Sequence, residues 1–277
     1  VQLALDEDLK PAGDITSQAV IPADLWGKAA FVARSPGVIA GLPAVALVLA
    51  AVEERLNFEL AISDGTSVSA GTMLATMAGP MRGLLAAERT ALNFLQRLSG
   101  VATVTRRYVD LVADLPVQIL DTRKTTPGWR LLEKYAVRCG GGHNHRVGLF
   151  DGVLIKDNHL AALGDPISAV TRAVALARQH VGTSVPVEVE VDTLDQFDAA
   201  LAAEPDIVLL DNMSLDQMRE AVRRRNAATR KVLLEASGGV NLSTVRGIAE
   251  TGVHRISVGA LTHSAPALDI ALDYLDE

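Results

Sequence analysis

Cysteine is all but missing from this chain: Cys139 is the single one in 277 residues. An internal disulfide framework is therefore excluded, and the composition fits a reducing compartment such as the cytoplasm. Long apolar runs are missing as well. The longest, near Ala44 to Val52, reaches about half of the ~20 residues that a membrane helix requires and follows Pro43, so it reads as a buried helix. Positive charge is in deficit, with 26 Lys and Arg against 33 Asp and Glu and a net charge of -7. That balance argues against nucleic acid as the main partner and requires any basic site to be small and enclosed. No signal peptide is visible, although a chain that begins at Val1 leaves its native start open. No repeat at a solenoid period is present. Charged residues at 21% and a mean hydropathy of +0.23 exclude disordered tails. What remains is a soluble globular protein whose length suits one large α/β barrel, or a barrel with a smaller companion.

The pattern along the chain favours the second. Leu3 to Leu9 reads as a first helix, and Gly13-Asp14-Ile15-Thr16 as a turn or cap. From Gly27 the pattern is β, with strands over Lys28 to Arg34, Val38 to Ala40, Phe58 to Ser63 and Thr72 to Met77 and one helix, Pro43 to Leu56, between them. Strands with one intervening helix predict an α+β sandwich. Two helices follow, Met81 to Leu98 and Val101 to Leu115, split at Ser99-Gly100. After Pro116 strands and helices alternate, which predicts a parallel sheet. The strands end at Thr122, Lys156, Asp192, Asp211, Ser237 and Gly259; the helices lie near Arg130 to Arg138, Ile167 to His180, Leu194 to Ala203, Leu215 to Arg225 and Leu242 to Glu250. Each strand end meets a polar or glycine-bearing segment, as in a barrel whose site lies at the carboxyl ends of its strands. Six strands rather than eight imply an incomplete barrel or a strand not legible in the sequence. Pro266 to Leu275 reads as a last helix that packs back on the first domain. The chain then divides into an N-terminal α/β sandwich domain over residues 1–100, joined by a C-terminal helix over 266–277, and a TIM-like α/β barrel over 101–265, incomplete unless a strand is hidden.

Chemistry concentrates between Asp121 and His159. Arg123, Lys124, His145, Arg146 and Lys156 fall just past strand ends or in the loop joining them, and in an acidic chain this reads as an anion site. Arg123 suits a carboxylate bidentately and Lys124 a phosphate oxygen, the alternative being a solvated basic loop. Lys156 is either a Schiff-base nucleophile or a fixed positive charge, unless it only snorkels at the barrel rim; Asp157 beside it favours the charge. His143-Asn144-His145 lacks a third metal ligand at a recognisable spacing. Cys139 reads as inert. Glu188, Glu190 and Asp192 alternate on one strand face and Asp211 ends the next strand. Such acids serve a cationic transition state or Mg²⁺, or form a salt bridge across the barrel. Ser237-Gly238-Gly239 and Gly259-Ala260 suit a phosphate held by backbone N–H groups, although glycine also ends strands for geometric reasons. Arg223-Arg224-Arg225 is a solvated helix end.

These residues give the chain its resemblance to the quinolinate phosphoribosyltransferases. Asp121-Thr122-Arg123-Lys124-Thr125, Gly140-Gly141-Gly142-His143-Asn144-His145-Arg146 and Leu154-Ile155-Lys156-Asp157-Asn158-His159 match that family's pattern in order. So do Glu188-Val189-Glu190-Val191-Asp192, Leu210-Asp211-Asn212, Glu235-Ala236-Ser237-Gly238-Gly239 and Ser257-Val258-Gly259-Ala260, with Ala87-Glu88-Arg89-Thr90 and Asn93 upstream. The N-terminal tail before Gly13 matches least. The resemblance implies a homodimer and a Mg²⁺-dependent reaction of quinolinate with phosphoribosyl pyrophosphate, giving nicotinate mononucleotide, pyrophosphate and CO₂ in de novo NAD biosynthesis. It places Arg123, His145, Arg146 and Lys156 on the two quinolinate carboxylates, with Arg89 supplied by the other subunit. Lys124, Glu190 and Asp211 would be catalytic and, with Ser237, Gly238, Gly239, Gly259 and Ala260, would hold the phosphoribosyl donor. Glu190 and Asp211 would also reach Mg²⁺, held mainly by the substrate. A cytoplasmic enzyme with no nucleic-acid or membrane partner is expected. The rival readings are a same-fold transferase acting on another aromatic acid, a Lys156 Schiff-base aldolase or decarboxylase, and a binding module without turnover.

Overall fold

The computed structural model describes residues 1–228 and 232–275. The chain opens with helices α1 (Gln2–Asp8) and α2 (Ile15–Val20). Asp14 starts α2 by accepting the N–H groups of Thr16 and Ser17, both at 3.0 Å, so the cap signal leads into a short helix. Strands β1 (Trp26–Ala33) and β2 (Gly37–Val38) follow, then α3 (Leu42–Val52), β3 (Asn57–Leu60), β4 (Ser67–Val68) and β5 (Met73–Pro80). Helix α4 then runs without interruption from Met81 to Asp110. The break expected at Ser99-Gly100 does not occur, and the packing explains both residues. Ser99 is buried, accepting the Ala40 N–H at 3.0 Å and donating to the Ala40 carbonyl. A Cβ on Gly100 would lie 2.0 Å from the Pro266 carbonyl oxygen. Both residues serve close approach rather than termination.

Beyond α4 the β/α alternation holds. The elements are β6 (Gln118–Leu120), α5 (Arg130–Cys139), β7 (Val153–Ile155), α6 (Asp157–Leu163), α7 (Pro166–Val181), β8 (Val187–Val191), α8 (Leu194–Ala203), β9 (Ile207–Asp211), α9 (Leu215–Ala227), β10 (Leu233–Ser237), α10 (Val245–Ala249), β11 (Arg255–Ser257) and α11 (Ala260–His263). The six strands form one parallel sheet in the order β6-β11-β10-β9-β8-β7. It stays open between β6 and β7, as an incomplete barrel does. A further strand shrinks to one residue: His143 bridges to Leu120, donating its N–H to the Ile119 carbonyl at 2.8 Å and accepting that of Asp121 at 3.1 Å. Strand β8 is buried at all of its positions, so its apolar residues face the helices while its glutamates face inward. Capping boxes fix where α8 and α9 begin, Thr193 pairing with Gln196 and Ser214 with Gln217.

The last element corrects an expectation. Of the helix expected over 266–277, residues 266–275 form none: Ile270–Leu275 is a strand, β12, antiparallel to β1 from Ala33↔Ile270 to Lys28↔Leu275, and the final two positions lie outside the described residues. It completes a four-stranded sheet of order β12-β1-β5-β3. Without it β1 would present a row of unpaired N–H and C=O groups, and that demand outweighs the helical spacing of a short segment. The chain falls into two compact units, one of residues 1–106, 132–141 and 264 onward and the other of residues 107–131 and 142–263. No single helix among the described residues is long and apolar enough to cross a membrane.

Candidate active site

A cavity of about 760 Å³ opens at the carboxyl ends of the parallel strands. Thr122, Lys156, Glu190, Asp211, Ser237 and Gly259 bring one lining residue from each strand or the position just past it. All the residues that the family resemblance assigns to the site line this cavity except Arg89, which is exposed on α4 in the first unit; of the other acids singled out, Glu188 and Asp192 do not line it.

One wall is cationic. Arg146 donates to the Gly152 carbonyl at 3.0 Å, and burial, then the like charge of Arg123, holds its guanidinium below its ordinary range. Arg123 makes no side-chain hydrogen bond among the described residues. Two guanidiniums that line one cavity and repel each other favour an anion beside them. The loop that carries His145 and Arg146 is pinned to β6 by Asp121, a fully buried carboxylate that accepts the His145 N–H at 2.8 Å and the Asn144 amide at 2.6 Å. Lys156 is ion-paired with Glu190. Its main-chain N–H donates to Nδ1 of His159 at 2.9 Å, so His159 caps α6 rather than facing the cavity.

A group of acids lies beneath this wall, and the sequence reading missed its extent. Glu188 sits one pleat deeper than Glu190 and Glu235 one pleat deeper than Ser237, and both are almost fully buried. His145 Nε2 lies 3.0 Å from Glu188 and 3.4 Å from Glu235, and Arg255 Nε is 3.0 Å from Glu235. Period-two spacing from Ser237 was the signal that would have found Glu235. Burial lowers the His145 pKa, but the two carboxylates outweigh it and the balance is a rise to about 9. The Arg146 N–H, however, donates to His145 Nδ1 at 2.8 Å, which leaves no room for a proton there. The geometry fixes the tautomer, with Nε2–H aimed at Glu188. Burial, then the charge of Glu235, raises the Glu188 pKa, so the pair as a whole holds a proton more tightly than isolated groups would. His145, Glu188 and Glu235 have the spacing of a metal site, but a protonated Nε2 is not a ligand and the group does not fit one.

The other wall is built of acids and bare backbone. Glu190 and Asp211 lie at the ends of adjacent strands and also border a smaller cavity of about 230 Å³ together with Asp157 and Asp192. These are oxygen donors, which fit Mg²⁺ better than a softer ion. A Cβ on Gly238, which has φ +90°, would lie 2.1 Å from Asn212 Oδ1. One on Gly259 would lie 3.0 Å from Lys124 Cδ and 3.2 Å from His263 Nε2. A side chain is excluded at Gly238 and crowded at Gly259, so these turns present bare main chain. Thr262 donates to the Lys124 carbonyl at 2.8 Å and keeps the Lys124 segment against this wall.

The family model for the quinolinate phosphoribosyl transferase N-terminal domain matches residues 14–99, and that for the C-terminal domain residues 101–273. The chain is 48% identical over 275 residues to a nicotinate-nucleotide pyrophosphorylase [carboxylating] of Mycobacterium leprae, covering 99% of this chain and 95% of that protein. It is 43% identical over 261 residues to a probable nicotinate-nucleotide pyrophosphorylase [carboxylating] of Bacillus subtilis, covering 94% and 88%. Among solved structures, the nicotinate-nucleotide pyrophosphorylase of Francisella tularensis superposes with a TM-score of 0.92 at 40% identity, over 99% of this chain and 94% of that one. The enzyme of that name from Ehrlichia chaffeensis also gives 0.92, at 39% identity over 99% and 97%. With both domains matched in order and relatives of this identity spanning nearly its whole length, the chain belongs to the quinolinate phosphoribosyl transferase family.

Proposed function

We propose that this protein transfers the phosphoribosyl group of phosphoribosyl pyrophosphate to quinolinate with loss of CO₂, giving nicotinate mononucleotide and pyrophosphate in de novo NAD biosynthesis. The observation that carries the proposal is a single cavity lined by Arg123, Lys124, Arg146 and Lys156 together with Glu190, Asp211 and the glycine-bearing segments. Arg123, Arg146 and Lys156 meet the two carboxylates of quinolinate, while His145 holds the Arg146 main chain in place. Lys124 and the N–H groups of the glycine-bearing segments take the phosphates. As pyrophosphate leaves C1 of the ribose, positive charge develops there, and Glu190 and Asp211 supply the opposing charge. The quinolinate nitrogen bonds to C1. Once quaternised, it stabilises the electron pair left on the adjacent ring carbon as CO₂ departs, and a proton takes the vacated position. Glu190 and Asp211 are the residues that would hold Mg²⁺ together with the donor's phosphates, and the ion when bound offsets charge on the leaving pyrophosphate.

An ammonium held by Glu190 is a fixed charge, which favours this reading over a Lys156 Schiff base. Arg89, exposed and outside the cavity lining, acts in this proposal on the site of a second copy in a homodimer. The free thiol of Cys139 suits a cytoplasmic enzyme. The test is formation of nicotinate mononucleotide from quinolinate and phosphoribosyl pyrophosphate with Mg²⁺, with nicotinate as the control acid. Turnover of quinolinate alone is expected. Comparable use of both acids, or none of either, contradicts the proposal.

A further inference from the structure

Asp211 and the Ser237 to Gly239 segment carry the acid wall, yet no residue nominated from the sequence explains what holds them in register. Their common contact is Asn212. It is one of three non-glycine residues with positive φ among those described, at +54°, and of the three it alone lines the cavity. Asparagine tolerates this left-handed conformation better than most residues do. The turn brings its side chain back over its neighbour, so that Nδ2 donates to Asp211 Oδ2 at 2.7 Å. Its main-chain N–H donates to the Ser237 carbonyl at 2.9 Å, extending the pairing in which Ser237 stands opposite Asp211. Its Oδ1 fills the space that a Gly238 side chain would need. One side chain therefore abuts both the carboxylate and the glycine turn.

We infer that Asn212 is a positioning residue for phosphoribosyl transfer, fixing the direction of the Asp211 carboxylate and the seat of the Gly238 main chain at once. The inference rests on the phosphoribosyl-transfer reading of this cavity. A residue that only closed a turn would need the left-handed backbone and nothing else, and glycine would serve equally well. Asn212 instead hydrogen-bonds the Asp211 carboxylate through Nδ2 and sets its Oδ1 against Gly238, and both of those residues line the cavity. The carboxylate it orients has to meet charge that appears only as the donor breaks, so misdirection should slow turnover more than it weakens quinolinate binding.

Three forms of the full-length protein separate these roles in steady-state assays that vary each substrate: wild type, Asn212→Gly and Asn212→Asp. Glycine keeps the left-handed turn and the bond to Ser237 but removes the amide. Aspartate keeps the shape and tolerates the turn, yet places an acceptor where the donor was. Loss of one hydrogen bond to a charged group predicts a fall in kcat of about tenfold to a hundredfold in Asn212→Gly, with a raised KM for phosphoribosyl pyrophosphate. KM for quinolinate should stay within about twofold, since that acid meets the other wall. Asn212→Asp should be at least as slow, because its carboxylate faces that of Asp211. Circular dichroism and thermal melts confirm that each variant is folded. A kcat within about twofold of wild type in either variant overturns the inference, as does a loss confined to the quinolinate KM. Wild-type protein that makes no nicotinate mononucleotide overturns the underlying reading, whereas an active wild type with unaffected variants overturns the inference alone.

Discussion

The two walls of the cavity are held in place by different means. Glu190 and Asp211 sit within or at the end of central strands, where the ladder β10-β9-β8 fixes their main chain. Arg123, Arg146 and Lys156 stand on segments following β6 and β7, the two edges of an open sheet. There the ladder is short or absent, and single side chains do its work: Asp121 ties down the His145 loop, and His159 caps the helix that begins after Lys156. The main chain of the acid wall is thus set by the sheet, with Asn212 orienting one carboxylate, and that of the cationic wall by a few side-chain hydrogen bonds. Each wall should fail in its own way.

The largest effect is expected from removing a cation outright. Lys156→Ala leaves a quinolinate carboxylate and Glu190 facing each other, and kcat/KM for quinolinate should fall by roughly a hundredfold to a thousandfold while circular dichroism is unchanged. Survival of activity would mean that Lys156 is a rim residue. Loosening the same wall without touching a ligand group comes next. Asp121→Ala strips the acceptor from the His145 and Asn144 donors, so quinolinate KM should rise about tenfold and the melting temperature should drop, with donor KM little changed. An equal rise in both KM values would show that the walls are not independently supported.

A smaller effect runs in the opposite direction. The ion pair with Glu190 must open before Lys156 can take a substrate carboxylate. Glu190→Gln should therefore bind quinolinate about twofold to tenfold more tightly in the absence of donor, even as turnover collapses. Calorimetric titration of the variant checks this, and weaker binding would remove the pair from the account. The smallest effect is on stability. Burial and the neighbouring carboxylates raise the proton affinity of the His145 and Glu188 pair, so the pair binds a proton more tightly when folded. The pair's contribution is present at low pH and is lost as pH rises toward about 9. Melting temperature followed from pH 6 to 10 should fall more steeply in wild type than in His145→Gln. Parallel curves would show that this buried group does not titrate in that window.

Much of the acid wall was legible in the sequence because period-two alternation places Glu190 inward and marks Asp211 and Ser237 as strand ends. The barrel was legible for the same reason, through alternating apolar strands and capped helices such as α8. What escaped depends on partners far away in sequence. Strand β12 is a strand only because β1 has an edge to fill, and Ser99-Gly100 resembles a helix break only until Ala40 and Pro266 are seen beside it. The bridge at His143 is one residue long and has no periodicity to detect. Helix α6 was missed because its cap is the Lys156 and His159 pair, residues that the motif suggests for a ligand. Glu235 and Arg255 were missed because a buried acid within a short apolar strand looks anomalous until His145 is placed above it.

The central claim is that the cationic wall is built for two carboxylates, and equilibrium binding to the free protein tests it most directly. Calorimetric titration of wild-type protein with quinolinate and with nicotinate, in the same buffer and without donor, compares acids that differ by one carboxylate. A site arranged for both should bind quinolinate about a hundredfold or more tightly than nicotinate, because the shorter acid leaves a charged donor unpaired. Equal affinity for the two acids would contradict the account.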